Sequence, residues 1–240
     1  FPKNLRDKIT VVHDGIDTEA VAPNPKAQFL LTNGKIITKS DQVVTFVNRS
    51  LEPYRGFHIF MRSLQKILTD QPQAEIIIVG DDGVSYGALP SNGTTWKKIF
   101  CEEVFPSLSE REKSRLHFLG QIPYEQYLAL LQVSTVHVYL TYPFVLSWSL
   151  LEAMSVGCAI VASDTQPVKE AIEDNVTGML FNFFSHNELA LNVTNLLKNS
   201  KERARLGLAA RNFAKDNYDL RNICLPRQMK WVEDLKIQNV

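Results

Sequence analysis

Seven short apolar runs, at residues 9–12, 43–47, 75–79, 116–119, 135–140, 159–162 and 178–181, limit what this chain can fold into. Most are β-branched or uniformly apolar, the composition of strands in a parallel sheet covered on both faces. The segments between them carry helical spacing instead. Phe57, Phe60, Met61, Leu64, Ile67 and Leu68 recur at three- and four-residue steps and stop before Pro72, which predicts an amphipathic helix. Shorter helices are expected over 124–132, 147–155 and 167–172, and the chain after Phe181 reads as helical through 189–197, 201–216 and 225–235. Strand–helix alternation implies right-handed crossovers and an α/β, doubly wound, Rossmann-like parallel sheet.

Residues 24–42 read as an exposed loop or hairpin, and 81–92, rich in Gly, Pro and Ser, as a long loop before a helix starting near Trp96. No repeat or internal boundary is visible, so residues 1–240 are expected to form a single domain. Lys plus Arg and Asp plus Glu both count 26, and a formal net charge of zero argues against a nucleic-acid binder with a broad basic surface. A local pair of cations in a cleft stays open. Cys101, Cys158 and Cys224 are far apart and lack metal-ligand spacing, which fits a reducing compartment and a cytoplasmic location. Cys158, ahead of the run at 159–162, is expected to be a small buried residue. No run reaches the roughly 18 apolar residues that span a bilayer.

In doubly wound sheets ligands bind beyond the carboxyl ends of the strands, at a topological switch point. That rule nominates Arg49 and the loops 80–83, 120–123, 141–147 and 163–165. Within it, Thr141-Tyr-Pro-Phe-Val-Leu-Ser-Trp-Ser-Leu-Leu-Glu-Ala-Met-Ser-Val-Gly157 runs from a strand end into a helix carrying Glu152 in its first turns. Phosphates favour such a helix start, whose first N–H groups lack intrahelical partners. Glu152 lies roughly 5 Å further along the axis. A nucleotide with phosphates at the helix start and its ribose diol on the carboxylate would fit that spacing. Taken alone, Leu-Glu-Ala-Met is only a good helix sequence.

Arg49 follows the run at 43–47, and Arg55 precedes the helix that Gly56 introduces. Two guanidiniums on one such loop can make forked, charge-assisted contacts to a diphosphate, although a single arginine is more often solvated. Gly80 and Gly83 mark either a close approach of backbone to ligand or a plain turn. Asp81-Asp82 is not a spaced carboxylate pair, and His13, His58, His117, His137 and His186 are scattered, with His58 and His117 expected in or beside packed elements. No metal and no cofactor is expected. The chain also lacks a Gly-x-Ser-x-Gly, a P-loop, and a Gly-x-Gly-x-x-Gly after its first strand, so NAD and ATP hydrolysis fit poorly.

In this order, the chain resembles the C-terminal, donor-binding domain of a GT-B glycosyltransferase of the large retaining family 4, also called group 1. Val11-Val-His-Asp-Gly-Ile-Asp17 is similar to the segment that opens that domain. Phe46-Val-Asn-Arg-Ser-Leu-Glu-Pro-Tyr-Arg-Gly56 resembles the family's diphosphate clamp, and Ile78-Val-Gly-Asp-Asp-Gly83 and Phe118-Leu-Gly-Gln121 the next two loops. Leu151-Glu-Ala-Met-Ser-Val-Gly157 carries the strongest signature, followed by Val176-Thr-Gly-Met-Leu180. The resemblance spans about residues 9–215.

It implies that Arg49 and Arg55 neutralise the diphosphate as the catalytic cations, and that Glu152 bonds the ribose hydroxyls. Backbone around Leu146, Ser147 and Trp148 would hold phosphate and sugar. The loop at 121–123 would read the base edge and the loop at 80–83 would flank the nucleotide, with Gly80, Asp81, Gly83, Gly120, Gln121, Ile122 and Phe144 as candidate nucleotide- or donor-binding residues. Three departures stand out: the family lysine is Arg55, the first Glu of the Glu-x7-Glu motif is Phe144, and the glycines after it are Val145 and Ser147. These leave nucleotide binding intact and put the recognition of the sugar in doubt.

The expected ligand is a nucleotide-diphosphate sugar, in the first instance a UDP-sugar, used for metal-independent transfer with retention in glycan biosynthesis. The acceptor, a glycan, lipid-linked sugar or small glycoside, would sit on an N-terminal domain that these residues do not include, and the helix at 225–235 resembles the crossover to it. No nucleic acid is expected as partner; peripheral membrane association of the full enzyme is. The competing readings are a non-catalytic nucleotide-binding or partner-docking module, and a GT-B-fold UDP-sugar epimerase.

Overall fold

The computed structural model describes residues 2–237. Residues 1 and 238–240, the extremes of the expected domain, lie outside the described residues. In chain order the helices are α1 (Lys3–Arg6), α2 (Phe57–Asp70), α3 (Trp96–Val104), α4 (Glu110–Lys113), α5 (Tyr124–Val133), α6 (Trp148–Ser155), α7 (Gln166–Lys169), α8 (His186–Lys198), α9 (Ser200–Tyr218) and α10 (Leu225–Ile237). The strands are β1 (Gln28–Leu30), β2 (Ile36–Thr38), β3 (Val43–Ser50), β4 (Glu75–Asp81), β5 (Leu116–Phe118), β6 (Val136–Tyr139), β7 (Ala159–Ser163) and β8 (Met179–Phe181).

β3 to β8 form one six-stranded sheet in the order β5-β4-β3-β6-β7-β8, every pair parallel. The chain winds outward from β3 through β4 to β5, then returns to β6 and winds the other way. The order therefore reverses between β3 and β6, and the loops leaving those two strands diverge to leave a crevice.

Burial on both faces explains the uniformly apolar strands. Val44, Phe46, Ile76, Ile78 and Val161 pack under α2, α3 and α8. The intervening Val43, Val47, Ile77 and Val79 meet α5 and the β1–β2 hairpin, and Ile160 and Ala162 meet α6 and α9. Phe46 stacks on Phe60 of α2 at 4.5 Å between centroids, so β3 is seated at the centre of the sheet by its largest side chain.

Two expectations are corrected. Residues 9–12 are not a strand: no neighbour pairs with them, and Val11 is 90% exposed. The segment instead leads to Ile16, which bridges Asp219 at the end of α9. Residues 24–42 do form a hairpin, but not an exposed one, since Phe29, Leu31 and Ile37 are buried against α5 and β3. Cys158 is buried, and His117 sits within β5. Among the described residues, no helix is long and apolar enough to cross a membrane.

Candidate functional site

A cleft of about 730 Å³ opens at the carboxyl ends of β3 and β4 and the start of α6. Its cationic side begins with a defect in the sheet. β3 pairs with β4 through Val47↔Val79 and resumes at Ser50↔Asp81, so β3 carries one residue more than its partner between those pairs. Such a bulge kinks the strand and re-aims its side chains. Here it delivers Arg49 to the cleft wall, exposed, with no hydrogen bond or ion pair to its guanidinium among the described residues. Gly80 faces the bulge at φ 151°, where a Cβ would stand 2.9 Å from the Asn48 carbonyl oxygen and 2.9 Å from Leu51 Cδ2.

Arg55 reaches the same cleft from the turn before α2. Its Nη1 donates to Thr141 Oγ1 at 3.0 Å, and its Cζ lies 5.1 Å from the centroid of Tyr86 and 5.5 Å from that of Phe144. Gly56 makes the turn possible: it adopts φ 71°, and a Cβ there would meet Leu140 Cβ at 2.4 Å. The Tyr139 hydroxyl lies beside the same guanidinium, and all these partners of Arg55 are neutral. Two cations thus face one cleft with no ion pair to a carboxylate for either among the described residues, an arrangement that favours an anion with several acceptor oxygens.

The opposite side is built on α6. Ser147 caps the helix, its Oγ accepting from the Ser149 N–H, while the Ser147 N–H donates to Tyr139 Oη at 3.2 Å. Ser147, Trp148 and Ser149 all line the cleft, so the positive end of the helix dipole opens into it. Trp148 is exposed and tethered, its Nε1 donating to Asp14 at 3.0 Å.

One turn further, Glu152 accepts from Tyr124 Oη and Tyr127 Oη, both at 2.8 Å, one on each carboxylate oxygen. Burial and the adjoining carboxylate raise both phenols, Tyr124 to about 12 and Tyr127 well above its ordinary value, so both stay protonated donors. An ionised carboxylate offers about four lone-pair sites, and two hydroxyls leave room for a diol.

Of the residues nominated from sequence, Arg49, Arg55, Gly80, Gln121, Ile122, Ser147, Trp148 and Glu152 line this one cleft. Asp81, Gly83, Gly120, Phe144 and Leu146 do not line it. Asp81 is engaged by Gln121 Nε2 at 2.7 Å and by the Gly83 N–H at 2.9 Å, and Gly120 accepts from the Gly80 N–H. Leu146 packs toward the α6 core, and the Phe144 ring closes on Tyr86 at 4.7 Å and Tyr54 at 5.6 Å. Sequence reasoning missed Tyr86, Tyr124 and Tyr127. The two last stand three apart at the start of α5, a spacing that puts them on one helix face and could have drawn notice. Tyr86 carries no such signal. No three His, Cys, Asp or Glu side chains cluster as metal ligands among the described residues.

Sequence comparison agrees with this architecture. The sequence model of the family described as glycosyl transferases group 1 matches residues 32–213, and the chain belongs to that family. An uncharacterized glycosyltransferase of Methanocaldococcus jannaschii, MJ1069, is 32% identical over 105 residues, 43% of this chain and 27% of the relative. The chain spans between 27% and 56% of the length of the curated relatives it matches. Among solved structures, the C-terminal domain of the group 1 protein LpcC from Francisella tularensis superposes with a TM-score of 0.71 at 20% identity, over 86% of this chain and all of that domain. Anabaena Alr3699/HepE, solved with UDP and glucose, gives 0.72 at 20% identity over 93% of this chain and 57% of that one. These likenesses show the fold: the C-terminal half of the GT-B architecture.

Proposed function

We propose that this chain binds a nucleotide-diphosphate sugar, a UDP-sugar, and serves as the donor half of a glycosyltransferase acting in glycan biosynthesis in the cytoplasm. The observation that carries the reading is the convergence of Arg49, Arg55, the start of α6 and Glu152 on one cleft. Phosphate oxygens between the guanidiniums and the helix start would put the ribose diol toward Glu152, with the base against Gln121 and Ile122. The UDP held by a structural neighbour of the same fold supports that choice of nucleotide.

Chemically, breaking the bond from the anomeric carbon to the diphosphate leaves negative charge on the departing oxygens. Fixed cations and helix dipoles aimed at that charge lower the barrier without reorganising. The reading therefore assigns to Arg49 and Arg55 the role a divalent ion plays elsewhere, and it makes transfer metal-independent. Retention at the anomeric carbon follows from the resemblance to the retaining family. The acceptor would be held by a further domain, joined through α10, whose Trp231 and Leu235 are solvent-exposed.

Calorimetry with UDP, in the presence and absence of EDTA, tests the proposal, with GDP and ADP as competitors for the base site. Saturable UDP binding unaffected by EDTA is the expected result. A strict requirement for Mg²⁺ or Mn²⁺ would remove the arginine clamp from the mechanism, and tighter binding of GDP or ADP would reassign the base.

A further inference from the structure

The loop between β4 and α3 is held from beneath by a carboxylate that water does not reach. Glu52, 0% exposed, accepts from the Ser85 N–H at 3.1 Å, the Tyr86 N–H at 3.2 Å and the Gly87 N–H at 2.8 Å. A buried carboxylate without partners would be costly, and three backbone donors offset that cost with charge-assisted bonds. Ser50 Oγ and Ser85 Oγ, 2.8 Å apart, add a second tie. A Cβ at Gly87 would stand 2.8 Å from Glu52 Oε2, so a side chain there would push the carboxylate aside.

The consequence falls on Tyr86. Its backbone is gripped by Glu52, while its ring lies against both Phe144 and the Arg55 guanidinium. Glu52 and Arg55 are three residues apart, yet among the described residues they form no ion pair. The fold sends the negative charge inward to backbone N–H groups and leaves the positive one to neutral ring faces and the hydroxyls of Thr141 and Tyr139. Had the two paired directly, the cation would be neutralised before any ligand arrived.

We propose that Glu52 is a positioning residue for Arg55: it fixes the Ser85–Gly87 backbone, which holds the Tyr86 ring under the guanidinium and so sets where the cleft presents that cation to a diphosphate. The inference rests on the nucleotide reading above for its functional consequence, but the coupling from Glu52 to Arg55 can be read without ligand. Because Glu52 is wholly buried, it acts through Tyr86 and not by touching substrate.

The test uses the full chain. In the ligand-free protein the Arg55 Nε–H resonance carries the ring-current shift of Tyr86 and Phe144. Glu52→Gln, which replaces one acceptor oxygen by an amide that cannot accept, should move that resonance toward its random-coil position. Tyr86→Leu should do the same, and Tyr86→Phe should leave it in place. By calorimetry, Glu52→Gln and Tyr86→Leu should weaken UDP about tenfold, the scale of one cation–π contact, with uridine unchanged. Gly87→Ala, which displaces the carboxylate without removing it, answers the same question if Glu52→Gln fails to fold. An unmoved Arg55 resonance in a folded variant, or equal losses for UDP and uridine, would overturn the proposal. A shifted resonance in a protein that never binds UDP would leave the positioning role standing and sink the nucleotide reading instead.

Discussion

The two ends of the sheet handle charge in opposite ways. At the amino ends of the strands, Arg115 spends its guanidinium on three backbone carbonyls, those of Leu68, Gln71 and Ala74, at 2.9–3.1 Å. Beside it Glu75 is shared between Lys35 at 2.5 Å and His117 at 2.7 Å. At the carboxyl ends, Arg49 has no partner for its guanidinium among the described residues, and Arg55 has the hydroxyls of Thr141 and Tyr139 and ring faces. These charges at the amino end are absorbed by the fold; at the carboxyl end Glu52 and the Lys169–Asp164 pair are absorbed too, but the two cleft arginines remain available. The difference separates scaffold from site without reference to any relative, because only cations that the fold leaves unpaired stay free to meet the charge of a ligand.

The comparison breaks most visibly if the amino end is disturbed. Glu75→Ala leaves His117 buried without its carboxylate, and should cost about 3 kcal/mol of stability, the low end for a broken buried pair because Lys35 stays half in water. UDP affinity should not change. Burial pushes the Glu75 carboxyl up, but its bonds from Lys35 and His117 outweigh that and hold it below its ordinary value. A depressed carboxyl contributes stability above the unfolded value and loses it as pH falls through the folded one. Chemical denaturation of wild type and variant across the acid range should therefore converge, and a gap that persists unchanged at low pH would detach the effect from the ion pair.

Within the sheet, His137 gives the scaffold a second acid sensitivity. It is fully buried on β6, its Nδ1 shares a hydrogen bond with Thr45 at 2.9 Å, and burial lowers its pKa from 6.5 to about 4. The folded state thus holds the neutral ring while the unfolded chain takes up a proton first. Stability should be full above about pH 6.5 and decline toward pH 4, by about 3 kcal/mol at 1.36 kcal/mol per pH unit of depression. His137→Leu should lessen that decline without abolishing it, since burial also lowers His58 to about 4, and Thr45 keeps Ser134 at 2.8 Å as a partner. An identical decline in the variant would assign it to other groups.

At the carboxyl end the signs reverse: large effects on ligand and small ones on stability. Arg49→Ala and Arg55→Ala should each weaken UDP by about 1.5–3 kcal/mol, the range for a hydrogen bond to a charged group. Uridine, which lacks the diphosphate, should be nearly indifferent, and melting temperatures should barely move. Equal losses for uridine and UDP would place the arginines among the scaffold charges with Arg115.

This asymmetry also explains what could be read from sequence. The sheet was legible because burial on both faces forces uniformly apolar strands such as 43–47 and 159–162, and α2 because its stripe of Phe57, Phe60 and Leu64 is local. Residues 9–12 have the same composition without a neighbouring strand, and composition alone cannot report pairing. Arg49, Arg55 and Glu152 were legible because each lies just past an apolar run, just before a helix or in a helix's first turns at the switch point. Glu52, Tyr86, Tyr124 and Tyr127 were not, because their roles rest on contacts between separate loops and helices: Glu52 with Gly87, Tyr127 with Glu152. Phe144 was nominated by its place in a motif, but the aromatic cluster around Tyr54 and Tyr86 takes up its ring.

The smallest effect expected is the most diagnostic of how Glu152 is used. Tyr127→Phe removes one of the two hydroxyls that orient the carboxylate and nothing else from the cleft wall. It should weaken UDP by about 1 kcal/mol, the net worth of one hydrogen bond, while Glu152→Gln weakens it more because charge assistance is lost as well. Against 2′,3′-dideoxy-UDP, which has no diol to present, both variants should bind like the wild type. A helix-borne Glu152 that served only α6 would behave differently: Glu152→Gln would lower the melting temperature and leave the UDP and dideoxy-UDP affinities in their wild-type ratio. That outcome would move Glu152 and its two tyrosines from the ligand side of the comparison to the scaffold side, leaving the arginines alone as the site's recognition of nucleotide.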